Sequence, residues 1–371
     1  MTRIYLFGLL SFLAVFNAWA QEGDPDFKKA LKLYQSGQYE VAKEAFTELI
    51  NKNSSQSYVY LYRGNCFAYL HQYKEAQKDY DIAAIHLKNN AELEFGLGYL
   101  CNEKGDYKGA LVYLNKAISI NPKYALAYNT RGVSYQSLGK PRLAIENYSA
   151  AIGIDSTLAI AYNNRGTAIY ENQDIAKATS LDIRTAIKDF DRALHLDSTL
   201  CVALRNRGMA YSFLEKNSLA IKDMDAAIKC DDKNPVYYIN RGTILTKAGD
   251  YQKAISDFNE ALTLDPKDAE SEILMGEAFC KSGDLENAIQ SETKAVEIDK
   301  RYESLANYKV AGFYASNKDK DMMLKYLKLA KKNNYFSNND NLADFLKAKE
   351  FKSFNNDKDF QKFRESVRGK R

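Results

Sequence analysis

Few side chains in this 371-residue sequence are placed to do chemistry, and the first to consider are the three histidines. His71, His86 and His195 stand singly at positions that read as turns or helix ends. None has the i,i+4 partner of a metal-binding helix, and none sits near a nucleophile in a recognisable motif. Gly96-x-Gly98 imitates the start of a phosphate loop, but it follows a helical pattern rather than a strand and lacks the third glycine. Acid–base, nucleophilic and metal chemistry all lack their parts, so neither an enzyme nor a metal or other cofactor is expected. Cys66, Cys101, Cys201, Cys230 and Cys280 are odd in number and form no CxxC or Cys/His cluster, which argues against both a disulfide framework and zinc. Cys201 and Cys230 are the two whose positions, at opposite ends of one helix pair, would let them meet.

Arginine and asparagine recur with more system. Arg63, Arg131, Arg165, Arg207 and Arg241 each stand immediately before a glycine. Sixteen residues further on, allowing for the insertion, lie Asp79, Asn147, Asp189, Asp223 and Asp257, while the arginine-free positions Leu97 and Met275 are matched by Tyr113 and Ser291. Charge and partner come and go together, which points to a bond between two helices rather than to an anion-binding ladder. Asn164, Asn206 and Asn240 lie two residues before a glycine, and Asn129 and Asn163 one residue earlier in their own repeats. Asparagine is a mediocre helix former, so its repeated use inside helices needs a reason. One reason is packing through the amide; the other is recognition of a peptide backbone, to which an amide offers a donor and an acceptor. Tyr58, Tyr62, Tyr69 and Tyr99, with Phe27, Tyr34 and Phe95, supply an aromatic set near the N-terminus. Most of these rings read as packing, and a few exposed ones would anchor an apolar side chain or stack on a sugar.

The elements that position these residues show themselves through self-similarity. Gly64, Gly98, Gly132 and Gly166 recur every 34 residues, and Gly208, Gly242 and Gly276 resume the period after an insertion. Two alanine series, Ala76 to Ala288 and Ala83 to Ala295, keep the same register. Between them sit Tyr80, Leu114, Tyr148, Phe190, Met224 and Phe258, with Glu292 as the exception. Apolar residues at helical spacing flank Lys247-Ala248-Gly249-Asp250, where glycine ends one helix and aspartate caps the next. Each unit is therefore a helical hairpin.

The period, the Tyr128-Arg131-Gly132-Tyr135 pattern, and Gly105-Tyr107-Ala110 with Gly249-Tyr251-Ala254 resemble the tetratricopeptide repeat (TPR) family. The resemblance implies an all-α, right-handed superhelical solenoid of antiparallel helix hairpins. It covers residues 24–334, eight clear repeats and a weaker ninth, with an insertion around 171–183. Residues 335–371 read as capping helices and a basic tail, with Leu342, Phe345, Leu346, Phe351, Phe354, Phe360 and Phe363 closing the last repeat. The family places the first helix of each hairpin on a concave groove, which makes the asparagine row and Tyr58, Tyr62, Tyr69 and Tyr99 candidate binding residues. The Lys/Asn/Arg set with which some members clamp a terminal carboxylate is not reproduced, because Leu61 stands where that pattern wants lysine.

The balance of 52 basic against 48 acidic residues, without a dense basic stripe, argues against nucleic acid as a partner. Arg3, an apolar run from Ile4 to Phe16 and Ala18-Trp19-Ala20 read as a signal peptide over 1–20, with the mature chain starting at Gln21. No later run is long enough to span a membrane. The expectation is an exported scaffold, periplasmic or secreted if the source is bacterial, that binds an extended protein segment in its groove during cell-envelope assembly. The alternative is a carbohydrate- or polymer-binding envelope scaffold using the tyrosine-rich half.

Overall fold

The structure is a computed structural model that describes residues 24–52, 57–171 and 180–368. The leader read at 1–20 lies outside them. Among the described residues there is no strand, and no helix is long and apolar enough to cross a membrane. The chain divides into two compact units, Met1–Ala210 and Tyr211–Arg371.

In the first unit, α1 (Pro25–Gln35) pairs with α2 (Tyr39–Asn51), α3 (Ser57–Tyr69) with α4 (Tyr73–Ala84), and α5 (Ala91–Glu103) with α6 (Tyr107–Ile120). The series continues with α7 (Ala125–Ser137) and α8 (Pro141–Ile154), then α9 (Ala159–Tyr170) and α10 (Ser180–Leu196). Each second helix packs on the following first helix, and first helices also touch one another, α1 on α3, α3 on α5, α5 on α7 and α7 on α9. The boundary between the units falls inside α11 (Cys201–Phe213).

The second unit contains α12 (Asn217–Cys230), then the hairpins α13 (Pro235–Ala248) with α14 (Tyr251–Leu264), α15 (Ala269–Ser282) with α16 (Leu285–Ile298), and α17 (Glu303–Ser316) with α18 (Lys320–Lys332). The shorter α19 (Asn339–Lys347) and α20 (Lys358–Arg368) follow. Phe345, Phe351, Phe354, Phe360 and Phe363 are buried in one cluster with Met323, Leu324 and Leu327 of α18, and Leu342 and Leu346 pack against it. The apolar face that a last hairpin leaves open is thus covered.

The recurring small and large residues make the core. A Cβ on Gly132 would stand 2.6 Å from Cε1 of Tyr148, too close for any real contact, so this helix crossing needs the missing side chain. Ala144 and Ala151, one turn either side of Tyr148, are fully buried. The Tyr148 hydroxyl donates to Gln136 at 2.9 Å and the Tyr80 hydroxyl to Asn65 at 2.8 Å, so neither buried phenol lacks a partner. Between hairpins, Asn121, Asp155, Asp197, Asp231, Asp265 and Asp299 each accept from the backbone N–H two residues on, an Asx turn repeated with the period.

Within hairpins the turn demands a left-handed residue. Gly249 supplies it at φ 88°, but His71 and Glu215 occupy the same place in their repeats at φ 60° and 57°. A side chain there works against its own carbonyl. Glu215→Gly is therefore expected to stabilise the protein by about 0.5–1 kcal/mol, the left-handed penalty less the extra chain entropy of glycine. Chemical denaturation checks it, and a loss of stability would mean that the Glu215 side chain contributes contacts of its own.

Part of the inserted segment lengthens the second helix of its hairpin. The first helix of that hairpin, α9, ends at Tyr170, whereas α10 begins at Ser180, three residues ahead of the start found in the other second helices relative to their alanines. Residues 172–179 lie outside the described set. Cys66, Cys101 and Cys280 are free thiols, while Cys201 and Cys230 are both disulfide-bonded.

Candidate functional site

Each arginine before a glycine sits on a first helix, and Arg63, Arg131, Arg165 and Arg241 bind the second helix of their own hairpin. Arg63 binds Asp79 through Nε and Nη2 at 2.7 and 2.8 Å, Arg165 binds Asp189 at 2.8 and 2.7 Å, and Arg241 binds Asp257 at 2.8 and 2.7 Å. Arg131 uses a single bond to Asn147 at 2.7 Å. These are the pairs the sequence covariation indicated.

A second set of partners was not anticipated. The remaining Nη1 reaches back sixteen residues to the preceding second helix: Arg63 to Thr47, Arg131 to Asn115, Arg165 to Ser149, Arg207 to Asp191 and Arg241 to Asp225. Tyr60, Tyr128, Tyr162 and Tyr238, each three residues before its arginine, lie with their ring centroids 5.1–5.9 Å from the guanidinium carbon. Arg63, Arg131, Arg165 and Arg241 therefore each fix three helices at once, and their side chains are spent on architecture. The bond to Asp189 holds the Arg165 guanidinium above its already high pKa, with burial opposing it. Polar residues stand at minus sixteen in the arginine-free repeats too, Asp81 and Asn259, so no covariation marks this second set.

The asparagines join neighbouring first helices. Asn206 on α11 donates to Asn163 Oδ1 and to Thr167 Oγ1, both at 3.0 Å; Asn163 donates to Asn164 at 3.2 Å, and Asn164 to Asn129 on α7 at 3.1 Å. Arg205 extends this relay by donating to Asn206 Oδ1 at 3.1 Å. Asn129 and Asn163 are buried, whereas Asn164 and Asn206 remain half-buried. Asn240, in the second unit, is buried, and its Nδ2 has no hydrogen-bond partner among the described residues. Of the two uses open to these amides, packing between hairpins accounts for the bonds seen among the four in the first unit.

The aromatic set is largely turned on itself. Tyr39 stacks on Tyr69 at 4.5 Å between centroids, Tyr69 meets Tyr99 at 5.1 Å, and Tyr34 meets Tyr62 at 5.4 Å. Tyr62 and Tyr99 are buried and Tyr69 half-buried, while Tyr58 is 43% exposed and accepts from Asn90 Nδ2 at 3.3 Å. Burial pushes the phenols of Tyr62, Tyr69 and Tyr99 well above their ordinary pKa, so they remain neutral donors. One carboxylate lies among them: Glu92 of α5 accepts from the Tyr62 hydroxyl at 2.8 Å.

Profiles of the tetratricopeptide repeat match residues 125–158 and 235–268, and a TPR repeat profile matches 98–139. The type IV pilus assembly protein PilF of Pseudomonas aeruginosa is 33% identical over 89 residues, 24% of this chain and 34% of PilF. The BBSome complex member BBS4 of Bos taurus is 28% identical over 128 residues, 34% of this chain and 24% of BBS4. The matches thus span about a quarter to a third of these curated relatives. Among solved structures, Cut9–Hcn1 of the APC/C is similar at a TM-score of 0.58 with 16% identity, over 82% of this chain and 59% of that one. PilW, a type IV pilus biogenesis factor, is similar at 0.52 with 20% identity, over 57% and 94%. These likenesses speak for the fold, an all-α array of stacked hairpins. With the repeat register, the hairpin geometry and the profile matches in agreement, the chain carries tetratricopeptide repeats, matched by the profiles at residues 98–158 and 235–268.

Proposed function

We propose that this protein is an exported, non-catalytic scaffold that holds an extended segment of another protein along the face formed by its first helices, in the assembly of a cell-envelope complex. The observation that carries the reading is the amide relay from Asn206 to Asn129, which runs across successive first helices and leaves Asn164 and Asn206 partly open. Packed helices lie about 8–10 Å apart, and an extended chain rises about 3.3 Å per residue. One amide group per hairpin would therefore meet roughly every third residue of such a segment.

The pattern of Arg3, the apolar run Ile4 to Phe16 and Ala18-Trp19-Ala20 supports export, and the likeness to PilF supports an envelope setting. The glycan reading draws on Tyr58 alone, since Tyr62 and Tyr99 give their faces to other rings.

The test uses a photo-activated cross-linking residue placed in living cells, either at Tyr58 on α3 or at Val112 on α6, which is 67% exposed. A protein adduct is expected from the Tyr58 position and not from the Val112 position. Adducts only from Val112, or equally from both, would remove the first-helix face as the binding surface.

A further inference from the structure

Six residues before the repeat glycine, the first helices carry Tyr58, Leu126, Ile160, Val202 and Val236, but α5 carries Glu92 and α15 an exposed Glu270. Its carboxylate is only partly exposed and meets a hydroxyl rather than a cation. The other two acids of α5 differ. Glu94 pairs with Lys116, and Glu103 lies 3.6 Å from His71 Nδ1 and accepts from Tyr73. Among the described residues no cation is paired with Glu92.

Around Glu92 stand rings. Tyr62 donates to it, Tyr58 and Tyr124 lie within its electrostatic reach, and Phe95 packs on Tyr124 at 5.1 Å between centroids. Burial raises the Glu92 pKa, because the carboxylate has given up water without gaining a counter-charge. Such a group gains more from an incoming cation than one already paired. The aromatic faces beside it attract the same charge through their quadrupoles.

We propose that Glu92, with the exposed ring of Tyr58, forms a subsite for a lysine or arginine side chain of the segment bound along the first-helix face. This rests on the proposed function above. The cation enters beside Tyr58 and takes up the carboxylate lone pairs that Tyr62 leaves free. The subsite fixes the register of the segment, and the amide row further along reads its backbone.

The experiment selects a display library of random peptides against the full chain and against Glu92→Gln, in which the amide oxygen still accepts from Tyr62. Circular dichroism verifies equal helicity. Peptides retained by the wild type are expected to share a lysine or arginine at one position. Glu92→Gln should lose that preference and bind the selected peptide about 10- to 100-fold more weakly, the effect of one charge-assisted hydrogen bond. Tyr58→Leu, a change at an exposed ring, should weaken the same peptide about 2- to 30-fold. Retained peptides without a basic position, or a basic preference unchanged in Glu92→Gln, would overturn the subsite and leave the groove standing. No peptide retained by either protein would remove the groove reading and the subsite with it.

Discussion

Replacing Glu292 by methionine is expected to stabilise the protein at neutral pH and to flatten the pH dependence of its stability. Glu292 occupies the place on α16 where other repeats put a large apolar or aromatic side chain, opposite Gly276. It is 1% exposed, and both carboxylate oxygens are without a partner. The nearby Lys309 is committed to Glu277 at 2.9 Å. Burial holds Glu277 up, but Lys309 and Lys281 outweigh it and bring that acid to about 2. For Glu292 burial wins, and its pKa rises to about 9.

The sign follows from which state keeps its proton. Below about 4.5, the ordinary value, Glu292 is neutral in both states and adds no pH dependence. Between there and about 9, the unfolded chain releases a proton that the folded chain retains, so stability falls as pH rises. At 1.36 kcal/mol per unit the loss is about 3 kcal/mol by pH 7 and approaches about 6 kcal/mol at pH 9. Glu272, whose pKa burial also raises, adds to the same trend. Denaturation of wild type and Glu292→Met at pH 5, 7 and 9 isolates the term, because the other groups cancel in the difference. The gap between the two proteins should widen with pH. Parallel curves would contradict the burial of this carboxyl.

Arg165→Ala is expected to cost about 3 kcal/mol. The guanidinium retains 25% side-chain exposure, but Asp189 retains 9%, so truncation strands a nearly buried carboxylate on α10 and also frees Ser149 on α8. The partial exposure of the arginine argues for the lower end of the range for breaking buried pairs. The double variant Arg165→Met/Asp189→Leu should recover most of the loss, because no unpaired charge remains. Arrays of repeats open locally, so amide exchange in α8, α9 and α10 is a more specific readout than a single melting temperature. Unchanged exchange in all three helices for Arg165→Ala would show that the fork carries no weight.

What the sequence disclosed depended on whether a feature repeats. The glycine and alanine registers gave the hairpins, because each is used at the same crossing seven times over, and the arginine pairs emerged because partner and charge varied together. The backward arginine contacts escaped because their acceptors, Thr47, Asn115, Ser149, Asp191 and Asp225, share a position but not a residue type. The left-handed turns at His71 and Glu215 escaped because the usual marker, glycine, is absent there. Glu292 was visible as an exception, but its burial was not, since an exposed glutamate at that position would have looked the same. Asn129, Asn163, Asn164 and Asn206 were marked by type and place, while their bonding to one another needed the distance between hairpins. Glu92 was not legible from type and place, since Glu270 stands at the same position of α15 and is exposed; the rings that enclose Glu92 come from neighbouring hairpins.

The central claim is that a partner segment lies along the first helices. Hydrogen–deuterium exchange of the purified protein, with and without the segment captured by the Tyr58 cross-link, tests it most directly. The account predicts added protection in α3, α5, α7 and α9, with α4, α6 and α8 unchanged. Protection confined to the second helices, or no change in the first, would contradict it.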